Sequence, residues 1–420
     1  MQGSRLRFFL VQRFLTTLQF RDYRYLWLSS LSASSAAWAL IVARGWLVYD
    51  ISGSSAWVGV TTFAAMIPLF IVPPVAGFLA DKLERRRLLT YVFTIQLIHN
   101  AILAALALTS VIDPWHLVAL AFVNGSARAS QMPVTQALLP NLVPPKHLLN
   151  AIALNSATMH GSRLVGAGLV APLLATVGAG PAFVLCSGFY VAALIFSRRI
   201  ESTSTGEIRI DESPFESFTA GLRYVLRHRL VRALVVVVFL HCALTMSFES
   251  LLPVLSEEDL GAGDGGFSYL MMALGAGSLV GVLGLATLQN PSVRGRLLIV
   301  TGVVSGISPI GLALSNNLAP ALVGAAVMGG SQAAFMAITA AFLQAIVPDA
   351  IRGRVMSVYL LSIGGVMASS NLITGALADS VGAPLLLIVS GLAFVVVIGL
   401  SMTDVTLRRL FTKGEVAGKA

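Results

Sequence analysis

Gly77–Arg87, GFLADKLERRR, is the stretch on which the fold turns. It joins two long apolar runs, at 56–80 and 88–110. Gly77 and Ala80 let helix ends approach closely, and Asp81 follows at a helix end. Lys82, Arg85, Arg86 and Arg87 then crowd a loop too short to be a domain. A water-soluble chain has little use for such a knot of cations between two apolar runs. A membrane-spanning chain does, because cytoplasmic loops are enriched in lysine and arginine.

Composition extends the argument. Of 420 residues, 56% are hydrophobic and 11% charged, against about 25% charged in ordinary soluble domains. A net charge of +9 in a soluble protein would suggest nucleic acid, but here the bases lie between apolar segments. Those segments fall at roughly 25–49, 56–80, 88–110, 115–139, 150–176, 181–197, 233–255, 267–288, 297–315, 319–343, 353–378 and 383–402. Most are long enough to cross a bilayer, which takes about 20 residues. Cys186 and Cys242 sit inside such segments, far apart and without the spacing of a metal site or a disulfide framework.

Twelve spans with the first residue inside place 25 of the 28 lysines and arginines in inner segments and none in outer loops. Both termini are therefore expected in the cytoplasm, and the opposite orientation would invert the charge rule everywhere. Arg44, Arg128 and Arg163 fall within predicted helices. Residues 1–24 carry five arginines interleaved with aromatics. They lack the small-residue site of a cleavable signal and are expected to form a short amphipathic helix on the inner surface.

One connection is long. Residues 198–232 begin polar, RRIESTSTGEIRIDESP, and continue as FESFTAGLRYVLRHRLVRALV, whose apolar residues recur at helical spacing. That reads as a cytoplasmic linker ending in an interfacial helix. The halves on either side echo each other. GFLADKLERRRLLTYV at 77–92 has a degraded echo in GLATLQNPSVRGRLLIV at 284–300, and LVPPKHLLNAIAL at 142–154 has one in IVPDAIRGRVMSV at 346–358. The expected organisation is an amphipathic segment (1–24), a six-helix bundle (25–197), the linker (198–232), a second six-helix bundle (233–402) and a cytoplasmic tail (403–420).

The 77–87 loop resembles the signature between helices 2 and 3 of the major facilitator superfamily: glycine, any residue, leucine, any residue, aspartate, a base, any residue, glycine, then bases. Glu84 stands here in place of the second glycine. WLVYDISGSSAWVGV (46–60), Pro133 with LLPNLVP (138–144), FESFTAGLRYVLRH (215–228) and VPDAIRGRVMSVYL (347–360) are similar to bacterial exporters of the enterobactin and macrolide efflux type. The resemblance implies an all-α integral membrane protein of the major facilitator fold, with twelve transmembrane helices in two six-helix pseudo-repeats. It also implies a multi-pass protein of the bacterial plasma (inner) membrane, a substrate site between the halves near the midplane, and export of a small molecule, often driven by protons. By the same resemblance Asp81, with Arg85 and Arg86 beside it, latches the inner ends of the halves, although topology alone would also account for the bases. Arg128-Ala-Ser-Gln131 partly matches the superfamily's helix 4 arginine motif, with Met132 for glycine. Gly161–Pro172 resembles the antiporter signature, with Ala167 where its proline is expected.

Charges inside a membrane are costly and usually face protein or water. Arg44, about nineteen residues into helix 1, and Glu249, about eighteen into helix 7, occupy counterpart positions in the two repeats. They are expected to pair either as a proton-sensitive outer gate or as a static ion pair. Arg128 and Arg163 fall at mid-helix with no carboxylate near in sequence. Guanidiniums grip two oxygens at once, which suits a carboxylate, phosphate or phenolate. Helix carbonyls and Asn124, Gln131, Asn155 and Ser162 are the alternative partners. His241, eight residues before Glu249, is either a proton relay on one helix face or a packed neutral histidine. Gln332, with Gln96 and Asn371, is a cavity liner or a helix–helix bond.

The expected function is therefore secondary active efflux of a small amphipathic or anionic molecule, siderophore- or drug-like, by proton-coupled alternating access. Candidate gating and coupling residues are Asp81, Arg85, Arg86, Arg44, Glu249 and His241. Candidate substrate contacts are Arg128, Arg163, Asn124 and Gln332. A monomer is expected, with the bilayer, protons and the substrate as partners, and no nucleic acid, cofactor, metal or enzymatic activity. No nucleotide-binding loop is present. A lipid or lysolipid flippase, or a non-transporting sensor of the same fold, is the alternative.

Overall fold

The computed structural model describes residues 16–73, 76, 83–201, 214–286 and 290–414. No strand occurs among them. The helices are α1 (Arg21–Ser52), α2 (Ser55–Met66), α3 (Arg85–Leu108), α4 (Pro114–Leu138), α5 (Pro145–Val177), α6 (Ala179–Arg198), α7 (Pro214–Arg227), α8 (Arg229–Leu244), α9 (Gly263–Ala286), α10 (Pro291–Ala313), α11 (Leu318–Ile346), α12 (Asp349–Val381), α13 (Ala383–Ser401) and α14 (Val405–Lys413). Among the described residues nine spans are long and apolar enough to cross a membrane: α1, α2 extended to Pro73, α3, α6 and α9–α13.

The internal repeat is written in the helix ends. Asp113 and Asn317 are the N-caps of α4 and α11. Pro144 and Pro348 start α5 and α12, each 33 residues long. Gly178 and Gly382 end those helices at φ 80 and 86 and turn the chain into α6 and α13. Each second landmark lies 204 positions after its counterpart (113 and 317, 144 and 348, 178 and 382). Glycine fits both corners because a Cβ is strained at positive φ.

Helix 7 departs from expectation. The sequence predicts an unbroken span over 233–255, but α8 stops at Leu244 and no helix resumes until Leu252. A π turn then covers Leu255–Asp259. Pro253 cannot donate to the helical ladder and crowds the carbonyl four residues back. Side chains bond the backbone of the broken stretch: Ser247 Oγ donates to Cys242 O, and Asn371 Oδ1 accepts from Ser250 N at 3.2 Å. Irregular backbone at membrane depth is tolerated where protein satisfies it in this way.

The chain forms two compact units, residues 1–44 with 71–209 and residues 45–70 with 210–420. The first is built on Tyr23, Leu89, Phe93 and Tyr190, and the second on Val231, Phe335, Tyr359 and Phe394. α2, which precedes the central linker, thus packs within the second unit, chiefly against α12. α7 forms on the part of the linker whose spacing predicts it. Its Gly221 lies so close to α12 that a Cβ there would stand 2.5 Å from Arg354 O.

Residues expected to be tail form α14, which buries Leu407, Leu410 and Phe411 in the second unit. A Cβ on Gly295 of α10 would meet Leu410 O at 2.4 Å. Asp404 caps α14 through Thr406 N and Leu407 N, and accepts from Arg229 Nη2 at 2.8 Å. The Arg229 guanidinium lowers the Asp404 carboxyl to about 2. A depressed carboxyl stabilises above its unfolded value, and the effect is lost as pH falls through the folded one. α14 should therefore stay docked at neutral pH and loosen only as pH drops from about 4 toward 2. Asp404→Ala loses cap and ion pair, a cost of about 1–2 kcal/mol. Amide exchange of α14 at neutral pH should then rise roughly 5–30-fold, with the exchange of α11 unchanged.

Candidate functional site

Gly166 sets the geometry of the first unit's polar core. A Cβ there would stand 2.4 Å from Ser35 O and 3.0 Å from the Trp38 Cβ, so only glycine lets α5 lie this close to α1. One turn earlier on α5, the Arg163 guanidinium carbon sits 4.6 Å from the Trp38 ring centroid. Arg128 of α4 approaches the same ring at 5.7 Å. Tryptophan is the strongest aromatic partner for a cation, worth about 0.5–2 kcal/mol per contact. Trp38 thus gathers two guanidiniums from different helices around one ring.

Other polar groups in this core belong to α1, α3, α4 and α6. Arg44 is buried and lies within electrostatic reach of His99. Tyr190 is fully buried beside Asn124 and Arg128. Gln96 is 0% exposed, and among the described residues neither of its amide atoms has a hydrogen-bond partner. A buried amide left so costs about 1–3 kcal/mol per group, which a polar molecule entering the core would recover. This set of side chains holds three guanidiniums and no carboxylate.

The second unit holds two polar arrangements. In one, His241 Nε2 is 2.8 Å from Ser305 Oγ, and its ring packs at 4.5 Å on Phe335 and 4.8 Å on Phe394. Gln332 Nε2 donates to Thr245 O at 2.6 Å beside it. Gln332 occupies the position 204 after Arg128. Because α8 ends at Leu244, the eight-residue spacing that put His241 and Glu249 on one helix face no longer does so. Glu249 instead lies half-buried in the irregular stretch.

The second arrangement is a seal between α2 and α12. A Cβ on Gly59 would stand 2.8 Å from Asn371 O, and one on Gly375 would stand 2.6 Å from Ser55 O. At the end of the seal the Asp379 carboxylate accepts from Ser54 Oγ, from Ser55 N at 2.7 Å and from Ala56 N at 3.4 Å. An anion at a helix N-terminus is favoured by both the open N–H groups and the dipole. Nearby, Tyr49 Oη donates to Glu258 Oε1 at 2.7 Å.

Of the remaining candidates, Asp81 lies outside the described residues. Arg85 opens α3. Glu84 holds Arg86 Nε at 3.1 Å and Arg87 Nε at 2.6 Å, and Arg86 Nη1 also donates to Ile200 O. Trp38, Tyr49, Glu258 and Asp379 were not among the candidates read from sequence. A signal for Asp379 was present, since Gly375-Ala-Leu-Ala-Asp379 repeats Gly77-Phe-Leu-Ala-Asp81.

Residues 14–415 match the transmembrane secretion effector family of the major facilitator superfamily. The chain belongs to this family. Similar curated proteins include the staphyloferrin A transporter of Staphylococcus aureus, 22% identical over 84% of this chain and 88% of its own length. The multidrug efflux pump Tap of Mycolicibacterium fortuitum is 25% identical over the same shares. Macrolide efflux protein A of Streptococcus pyogenes is 21% identical over 79% and 83%. Among solved structures, the nucleoside transporter NupG superposes with a TM-score of 0.75 at 11% identity, covering 91% of this chain and 99% of its own. The human organic anion transporter MFSD10 gives 0.66 at 15% identity, over 90% and 98%. These two likenesses show the fold. The family member described here is thus a multi-pass protein of the bacterial plasma (inner) membrane.

In this family member the α2–α12 seal depends on two glycines. Gly375→Leu should force the helices apart at a cost of about 1–3 kcal/mol, lowering the thermal midpoint of the detergent-purified protein. Gly399→Leu, at a helical glycine with open space around it, should leave the midpoint unchanged.

Proposed function

We propose that this transporter exports a small amphipathic or anionic molecule from the cytoplasm by proton-coupled alternating access. The gathering of Arg128 and Arg163 around Trp38 carries the reading. Two planar cations on one aromatic ring grip a carboxylate, phosphate or phenolate through paired N–H groups, while the ring contacts the apolar body of the same molecule. Asn124, in the same unit, completes these substrate contacts. Relatives named for a siderophore, for drugs and for macrolides support efflux of a molecule of that kind.

The transporter has twelve spans in two six-helix halves, with both ends of the chain in the cytoplasm. α4, α5 and α8 with its irregular continuation fill the three positions beyond the nine clear spans. In this topology the α2–α12 seal closes the outer side. Asp379 holds it shut, and outward opening separates its carboxylate from Ser54, Ser55 and Ala56. Glu249 carries the proton, its half-buried carboxyl lying where regular helix gives way to irregular backbone.

The test uses inverted membrane vesicles with an imposed pH gradient and labelled siderophores, macrolides and lysolipids. An exported substrate should collapse the gradient in wild type. Arg128→Gln and Arg163→Gln should each raise KM for an anionic substrate about tenfold or more, the size of one lost charge-assisted contact. Glu249→Gln should transport without moving protons or not at all. Wild-type KM in both arginine variants refutes the substrate site. Proton-independent movement of lysolipid in wild type makes the protein a flippase.

A further inference from the structure

The base-rich end of the first unit contains a cavity outside the polar core. Its volume is about 240 Å³, and Arg86, Arg87, Thr90, Tyr91 and Arg198 line it. α3 begins there and α6 ends there, and the two helices pack along their lengths. Three guanidiniums in one small pocket repel one another unless an anion sits among them. Glu84 supplies one negative charge, bonded to Arg86 and Arg87 through Nε. Those bonds fix both side chains at the base of their forks. Arg86 is fixed again by Ile200 O, whereas the Arg87 side chain stays 71% exposed. The result is a pre-oriented cationic cradle with charge left over.

The surface below the cradle indicates what enters it. Tyr91, Ile95, Ile98 and Ile102 are exposed at successive turns of one α3 face, and Val184, Val191 and Ile195 are exposed along α6 toward Arg198. The pocket therefore opens onto an apolar track at the end of two membrane-spanning helices. We propose that it is a binding site for a phosphate-bearing anion, filled by the headgroup of an anionic phospholipid whose acyl chains lie along that track. Guanidinium forks match the paired oxygens of a phosphate, and basic pockets at helix ends suit lipid headgroups. The site is separate from the substrate contacts around Trp38 and does not depend on transport.

Native mass spectrometry of the detergent-purified full chain tests this, with palmitoyl-oleoyl phosphatidylglycerol and the matching phosphatidylcholine as probes. Wild type should retain one phosphatidylglycerol and prefer it over phosphatidylcholine by about tenfold or more. The Arg87→Gln, Arg198→Gln double variant should lose that preference. The charge-matched Arg408→Gln, Arg409→Gln variant on α14 should keep it. Inorganic phosphate that displaces the lipid, through Arg87 and Arg198, assigns the same cradle to a soluble phosphate. Displacement failing leaves the headgroup as the ligand. Should the double variant not fold, Arg87→Gln alone gives the same reading, because that side chain is largely outside the core. Equal binding of the two lipids, wild-type binding in the variants of the pocket, or equal loss in the α14 control overturns the proposal.

Discussion

In hydrocarbon no water is available to a backbone N–H or C=O, so every such group must find a partner within the protein. This constraint produces the long helices, and it also governs where they stop. α4 and α11 begin at polar caps, α5 and α12 begin after prolines, and both of these last end at glycines of positive φ. Where regular helix fails, between Leu244 and Leu252, side chains of Ser247 and Asn371 take over the work of the ladder. The break is possible only because another helix lies close enough to supply an amide.

Close approach is the second condition, and glycine provides it at a few chosen crossings. Gly166 brings α5 onto α1, and Gly59 with Gly375 brings α2 onto α12. Between apolar helices in a lipid solvent there is little hydrophobic drive to associate, so packing and interhelical bonds decide which pairs form. Both of these crossings have a polar neighbour. Arg163 meets Trp38 beside Gly166, and Asp379 caps α2 one turn beyond Gly375. The polar groups on which the transport reading rests are therefore consequences of where small residues permit contact.

Charge follows the same logic. Arginines collect in the first unit around Trp38 and His99, Arg44 buried and Arg128 and Arg163 half-buried, where an aromatic face and protein dipoles take the place of part of their water. In the second unit Glu249 is half-buried in the irregular stretch, whereas Glu258 and Asp379 sit at exposed helix ends. A carboxylate there needs little desolvation and still finds a hydroxyl or two open N–H groups. The proposal of an anionic or amphipathic cargo rests on the two guanidiniums gathered at Trp38.

The sequence alone determined the all-helical membrane class and the repeat. Those properties depend on composition, on run length and on local punctuation by proline, asparagine and glycine. The echo of Pro144 at Pro348 was legible for the same reason. The break after Leu244 was not, since hydropathy cannot distinguish a continuous apolar helix from one whose ladder is handed to Asn371, over a hundred residues away. Nor could a linear reading find Trp38 as the ring shared by Arg128 and Arg163, or Asp379 as the cap of a helix that starts at Ser55. Each depends on which small residue faces which neighbour across a crossing. Only the tertiary structure brings such distant positions within bonding distance.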